Sequence, residues 1–147
     1  MFHLAQVNIG LAKGAMDSDV MKVFSDNLDP INAIAEASRG FVWRLKDEGG
    51  NATDTAFSDN PNELVNMSVW ESVDTLKHFM FKTHHLDFLK RKKEWFETSS
   101  EHTYGLWWVP AGHYPSIQEA KDRLALLNAK GETPKAFTFK KVYLAPQ

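Results

Sequence analysis

Three histidines fall within a short stretch of this chain: His78, His84 and His85. Imidazole is the side chain that gives and takes protons near neutral pH, so these three are the candidate catalytic residues. They lack the zinc arrangement of two histidines four apart with a glutamate between them, and no metal is expected. His78 and His85 share a helical face only if one helix runs unbroken through Thr83. The tryptophans suggest a partner for such a base. Trp43, Trp70 and Trp108 are candidates to shape a pocket for a flat, hydrophobic substrate, although such rings also serve as core or contact residues. Asn8, Asn66 and Ser68 are polar residues on otherwise apolar strands. Buried polar groups need partners, and Asn66 is the candidate to orient a substrate. Lys90-Arg91-Lys92-Lys93, with Lys77 and Lys82 nearby, reads as a solvated helix face, with attraction of an anion as the alternative.

Other chemistries have no footing. There is no Cys, hence no thiolate nucleophile, thiolate metal site or disulfide. The chain has no glycine-rich dinucleotide loop, P-loop or nucleophile-elbow serine, and no haem-ligand motif beyond single histidines. No cofactor is expected. The net charge of -2 and pI near 6.3 speak against a dedicated nucleic-acid binder. No apolar run approaches the roughly 20 residues that span a bilayer. The N-terminus lacks the features of a signal peptide, so a cytoplasmic protein with no membrane partner is expected.

The elements that must position these residues follow from periodicity. Residues 2–9 alternate as a first strand. A helix is expected from Asp17 or Ser18 to about Ser38, on a stripe of Val20, Phe24, Leu28, Ile31 and Ala35. Pro30 lies inside that stripe, so a kink or break is expected near Asp26, the continuous stripe favouring a kink, and Gly40 follows as a stop. Phe41 to Leu45 is a second strand. Asp47 to Glu63 is a long polar loop, mobile or functional. Leu64 to Trp70 is a third strand, and Ser72 caps the helical region that follows, with a joint at Thr83-His84. Tyr104 to Val109 is a fourth strand. Ser116 to Glu119 has the form of a capping box, opening a helix that stops near Gly131. Ala136 to Leu144 is a last strand or an extended tail.

A chain of 147 residues with 43% hydrophobic content is one domain, 1–147, able to support a core of its own. The order β-α-β-β-α-β, followed by a helix-strand extension, is ferredoxin-like α+β.

Three blocks carry a resemblance: Gly40-Phe41-Val42-Trp43-Arg44-Leu45, Arg91-Lys92-Lys93-Glu94-Trp95-Phe96, and Leu106-Trp107-Trp108-Val109-Pro110-Ala111-Gly112-His113. Together with Val69-Trp70-Glu71-Ser72 and Thr133 to Phe139 they resemble an uncharacterised bacterial family, a domain of unknown function. That family lies within the dimeric α/β-barrel superfamily and is related to the antibiotic-biosynthesis-type monooxygenases. The resemblance implies a four-stranded antiparallel sheet with helices on one face. Its other face would pack on a partner's sheet to close a barrel across a homodimer. It also implies a cofactor-free monooxygenase-like enzyme acting on a small hydrophobic or aromatic molecule. His78, His84 or His85 would move a proton, Asn66 would orient the substrate, and Trp43, Trp70 and Trp108 would shape the pocket. A non-catalytic binding or interaction module is the alternative, and a haem-binding protein a second one.

Overall fold

A computed structural model describes residues 1–46 and 57–147. Of the long loop expected over 47–63, residues 47–56 lie outside the described residues. Strand β1 (Phe2–Leu11) runs through the middle of a four-stranded antiparallel sheet. It pairs on one side with β3 (Glu63–Trp70) and on the other with β4 (Tyr104–Pro110). The short β2 (Phe41–Arg44) pairs with β3 at the edge, giving the order β2-β3-β1-β4.

Strand periodicity divides the sheet residues between two faces. One face carries Ala5 and Val7 of β1, Val65, Met67 and Val69 of β3, and Trp107 and Val109 of β4, all buried. The other carries Leu4, Trp70 and Leu106 at one end. Toward the other end of that face the cross-strand pairs are polar: Gln6 opposite Ser68, and Asn8 opposite Asn66.

The expected first helix is broken where Pro30 demands it. A 3-10 turn (Asp19–Met21) leads into α1 (Lys22–Asp26), and α2 (Leu28–Ala37) begins after a single non-helical residue, Asn27. Pro30 thereby falls in the first turn of α2, where its missing N–H costs no internal hydrogen bond. The second helical region also divides. Helix α3 (Val73–Lys82) starts at a capping box, with Ser72 Oγ accepting from the Thr75 amide at 3.1 Å. It ends at Thr83, whose backbone is extended. Helices α4 (His85–Lys90) and α5 (Lys92–Trp95) follow.

Helices α2 and α3 cover the Leu4–Trp70 face through Ala35, Leu76 and Phe79. Helix α6 (Ile117–Lys130) covers the opposite face through Ala120 and Leu124. The resemblance implied a bare second face awaiting a partner's sheet. Here α6 supplies that cover from within the chain, leaving Val65, Met67 and Val69 at most 5% exposed. The stop of α6 at Gly131 has φ 72°, a left-handed conformation natural to glycine.

One local expectation is corrected. Ser116 Oγ does accept from the Glu119 amide at 3.1 Å. The Glu119 carboxylate, however, does not return to the cap. It accepts from Trp107 Nε1 at 2.8 Å and meets His113 Nε2 at 2.7 Å. Of the two readings for the segment after Ala136, strand or tail, the structure has the tail: Phe137 bridges Leu106, and turns follow. Among the described residues no helix is long and apolar enough to cross a membrane.

Candidate functional site

A cavity of about 180 Å³ lies between the polar end of the sheet and the helices α1 to α5. Its floor is built by the period of two. Asn8 of β1 and Asn66, Ser68 and Trp70 of β3 all project to the same side. Its walls come from the broken helices. Phe24 of α1, Ile31 and Ala35 of α2, Phe79 of α3, Phe88 and Leu89 of α4, and Trp95 of α5 line it.

The walls are aromatic and mutually packed. Phe24 lies 5.6 Å from Trp95 and 5.1 Å, edge on, from Phe96. Phe88 stacks on Trp95 at 5.5 Å. Phe79 stacks on Trp70 at 5.2 Å and tilts against His85 at 4.7 Å. Such geometries add to the burial of the rings and hold each in place.

The floor is polar and interlocked. Gln6, buried beneath it, donates from Nε2 to Asn66 Oδ1 at 2.7 Å and to Ser68 Oγ at 2.8 Å. Trp70 Nε1 donates to the same Ser68 Oγ at 2.9 Å. Trp70 is wholly buried, so this bond satisfies a donor that would otherwise be costly. Asn66 is exposed, although the residues on either side of it in β3 are buried.

His85 is the imidazole at this site. The helix break at Thr83 turns the chain so that His85 opens α4 on the lining of the cavity. Its Nδ1 lies 3.3 Å from the carbonyl oxygen of Met80. A carbonyl only accepts, so Nδ1 carries the proton and Nε2 is left as the acceptor. Burial pushes the His85 pKa below its ordinary value of 6.5, against a smaller upward pull from the Met80 bond. The ring is therefore neutral at physiological pH.

Because α3 and α4 are separate helices, the other histidines do not join it. His78 is exposed on α3. His84 is exposed and lies 3.6 Å from Asp87. Of the tryptophans, only Trp70 among the three candidates lines the cavity. Trp43 sits on the α6 face, stacked on Tyr114 at 5.3 Å with the planes 3° apart. Trp108 shares the Trp70 face but lies under the C-terminal tail, donating from Nε1 to the Tyr143 carbonyl at 2.9 Å. The structure thus brings together Asn66, Trp70 and His85, and not His78, His84, Trp43 or Trp108.

Two participants were not among the candidates, and a third was read mainly as surface. Gln6 has the parity of Asn8 in the first strand, and that parity was the available signal. Arg44 is buried in β2 and donates from Nε to Glu36 Oε1 at 2.8 Å. This bond, together with the guanidinium charge, holds the Glu36 carboxyl below the usual carboxylate range. Lys92 belongs to the basic run, yet it is half-buried and lines the cavity.

A family model described as a domain of unknown function (DUF3291) matches residues 3–147. No match was found among functionally curated proteins. Among solved structures, the chain is similar to SnoaB, a cofactor-independent oxygenase from Streptomyces nogalater. That likeness has 19% identity and a TM-score of 0.49, over 79% of this chain and 100% of the other. It is also similar to a protein of unknown function from Nitrosomonas europaea, at 13% identity and TM-score 0.49, covering 79% and 97%. A third is Rv0793 from Mycobacterium tuberculosis, at 14% identity and TM-score 0.49, covering 78% and 99%.

Proposed function

We propose that this chain, which belongs to the DUF3291 family, is an enzyme that oxygenates a small aromatic molecule without a cofactor. One observation carries the reading: a ring-sized aromatic cavity holds one neutral histidine, its Nε2 left to accept a proton. Such a site binds a flat ring and removes a proton from it.

The chemistry belongs to the substrate. His85 Nε2 takes a proton from an acidic C–H or O–H. Asn66 and Trp70 hold the ring so that the resulting anion stays planar and electron-rich. An anion of that kind can reduce dioxygen directly. For an activated methylene the balance is one CH₂ and one O₂ giving one C=O and one H₂O. The carbon gives up four electrons, one oxygen atom enters the product, and the other leaves as water with both hydrogens.

The setting is the cytoplasm, and self-association as a homodimer is part of the same reading. It is supported by the Trp43–Tyr114 stack, where Tyr114 remains 52% exposed beside the α6 face. Native mass spectrometry of the purified chain tests the dimer.

The enzymatic test is oxygen uptake with a panel of one- and two-ring hydroxyaromatics and activated ketones. Uptake is expected with at least one, and His85→Gln should reduce it by about 10²–10⁴-fold, the usual contribution of a positioned base. Should ligands bind while none is oxidised, and His85→Gln leave their affinity unchanged, the chain is a binding module instead.

A further inference from the structure

The lining of the cavity is electrically one-sided. Arg44 and Lys92 line it, and among the described residues no aspartate or glutamate does. Arg44 already engages Glu36. Lys92 is half-buried and forms no ion pair among the described residues. A lysine on the lining of an otherwise apolar cavity favours an occupant of opposite charge, although Lys92 also borders a neighbouring hollow lined by Glu63, Glu97 and Glu101.

The hydrogen-bond inventory of the floor points the same way. A serine hydroxyl has two lone pairs and one proton. Both lone pairs of Ser68 are taken, by Gln6 Nε2 and Trp70 Nε1. Its O–H finds no acceptor among the described residues and borders the cavity. Asn66 is engaged in parallel: one lone pair of its Oδ1 is taken by Gln6, and the two N–H groups of Nδ2 remain to donate. The floor thus offers the Ser68 O–H and the Asn66 Nδ2 hydrogens to whatever lies on it. The volume sets the scale of the part that sits inside. A cavity of about 150 Å³ holds benzene, so about 180 Å³ admits one ring with small substituents.

We infer that the ligand is a single planar aromatic ring bearing an anionic oxygen, seated on the Ser68 O–H and Asn66 Nδ2–H with Lys92 as its counter-charge. This names the substrate class of the site for which oxygenation is proposed, and rests on that reading only for the claim of turnover. The anionic oxygen has two possible sources: a carboxylate that arrives charged, or a hydroxyl whose proton passes to His85 Nε2.

The test is binding of the full chain under argon, with oxidation prevented. The probes are benzoate, 4-nitrophenol, whose anion is yellow, and neutral 4-nitroanisole. The expected result is tighter binding of an anion than of 4-nitroanisole. If the hydroxyl is the source, 4-nitrophenol turns yellow on binding at a pH where it is colourless in buffer. If the carboxylate is, benzoate binds best. Lys92→Met should weaken the preferred anion about tenfold or more while leaving 4-nitroanisole unchanged, the loss usual for a hydrogen bond to a charged group. Ser68→Ala should do the same. Because it also unseats Gln6 and Trp70, Lys92→Met decides the matter should Ser68→Ala fail to fold. The inference is overturned if 4-nitroanisole binds as tightly as either anion, if neither anion binds at millimolar concentration, or if Lys92→Met changes nothing. Anion binding without oxygen uptake in air would remove the oxygenase reading and keep this one. Uptake with neutral substrates and no anion preference would do the reverse.

Discussion

Met80 and His85 are joined across the break between two helices: the histidine Nδ1–H donates to the methionine carbonyl at 3.3 Å. That carbonyl belongs to the last turn of α3, where helix carbonyls lack internal partners. One bond therefore satisfies a helix end and fixes a tautomer.

The rate of any proton abstraction by His85 should follow its neutral form. Its pKa lies below 6.5 because burial disfavours the charged ring. Turnover should stay level through neutral pH and fall on acidification, with a midpoint below that value. His85→Gln should flatten the profile as well as lower it. Initial rates from pH 4.5 to 8 check this.

The same shift makes stability depend on pH. The folded chain holds His85 neutral, whereas the unfolded chain protonates it near the ordinary value of 6.5. The unfolded state thus binds more protons below that pH. The stability contribution of a neutral His85 is fully present above 6.5 and is lost progressively as pH falls toward the lowered folded value. Urea denaturation at pH 8, 6 and 5 should show this slope, and it should be reduced in His85→Phe.

Gly40→Ala should destabilise the fold by about 1–3 kcal/mol or more. Gly40 has φ 83°, and a Cβ there would collide with the Thr75 side chain. Thr75 is half of the capping box that starts α3, so the substitution strikes the helix end as well. Chemical denaturation measures the loss, and a near-normal midpoint would refute it.

Glu119→Ala should cost more than an exposed helix substitution. It leaves the indole N–H of the wholly buried Trp107 without its acceptor, worth about 1–3 kcal/mol. Glu119→Gln keeps an acceptor oxygen and should recover much of the loss. Comparing the two by denaturation separates that bond from the loss of charge beside His113.

The sheet and its helices were legible because alternation and capping are local. Ser72, Pro30 and Gly131 announced their roles from sequence position alone. The site was only half legible. Asn66 and Trp70 share a parity within one strand, which places both on one face once the strand is recognised. The histidines depended on whether a helix continued through Thr83, and a backbone break carries no strong residue signature. Trp43 and Trp108 are separated from the cavity by strand pairing and by the C-terminal tail, relationships that span dozens of residues. Lys92 was hidden in a basic run whose charge pattern describes a solvated surface. Only the turn between α4 and α5 shows which lysine borders the cavity.

Both faces of the sheet are closed by helices of the same chain. Folding is then a unimolecular event. Completing the core needs no second chain, so any dependence of the unfolding midpoint on protein concentration comes from association of already folded molecules. A partner that docks on such a molecule adds to a finished structure and can leave without undoing it.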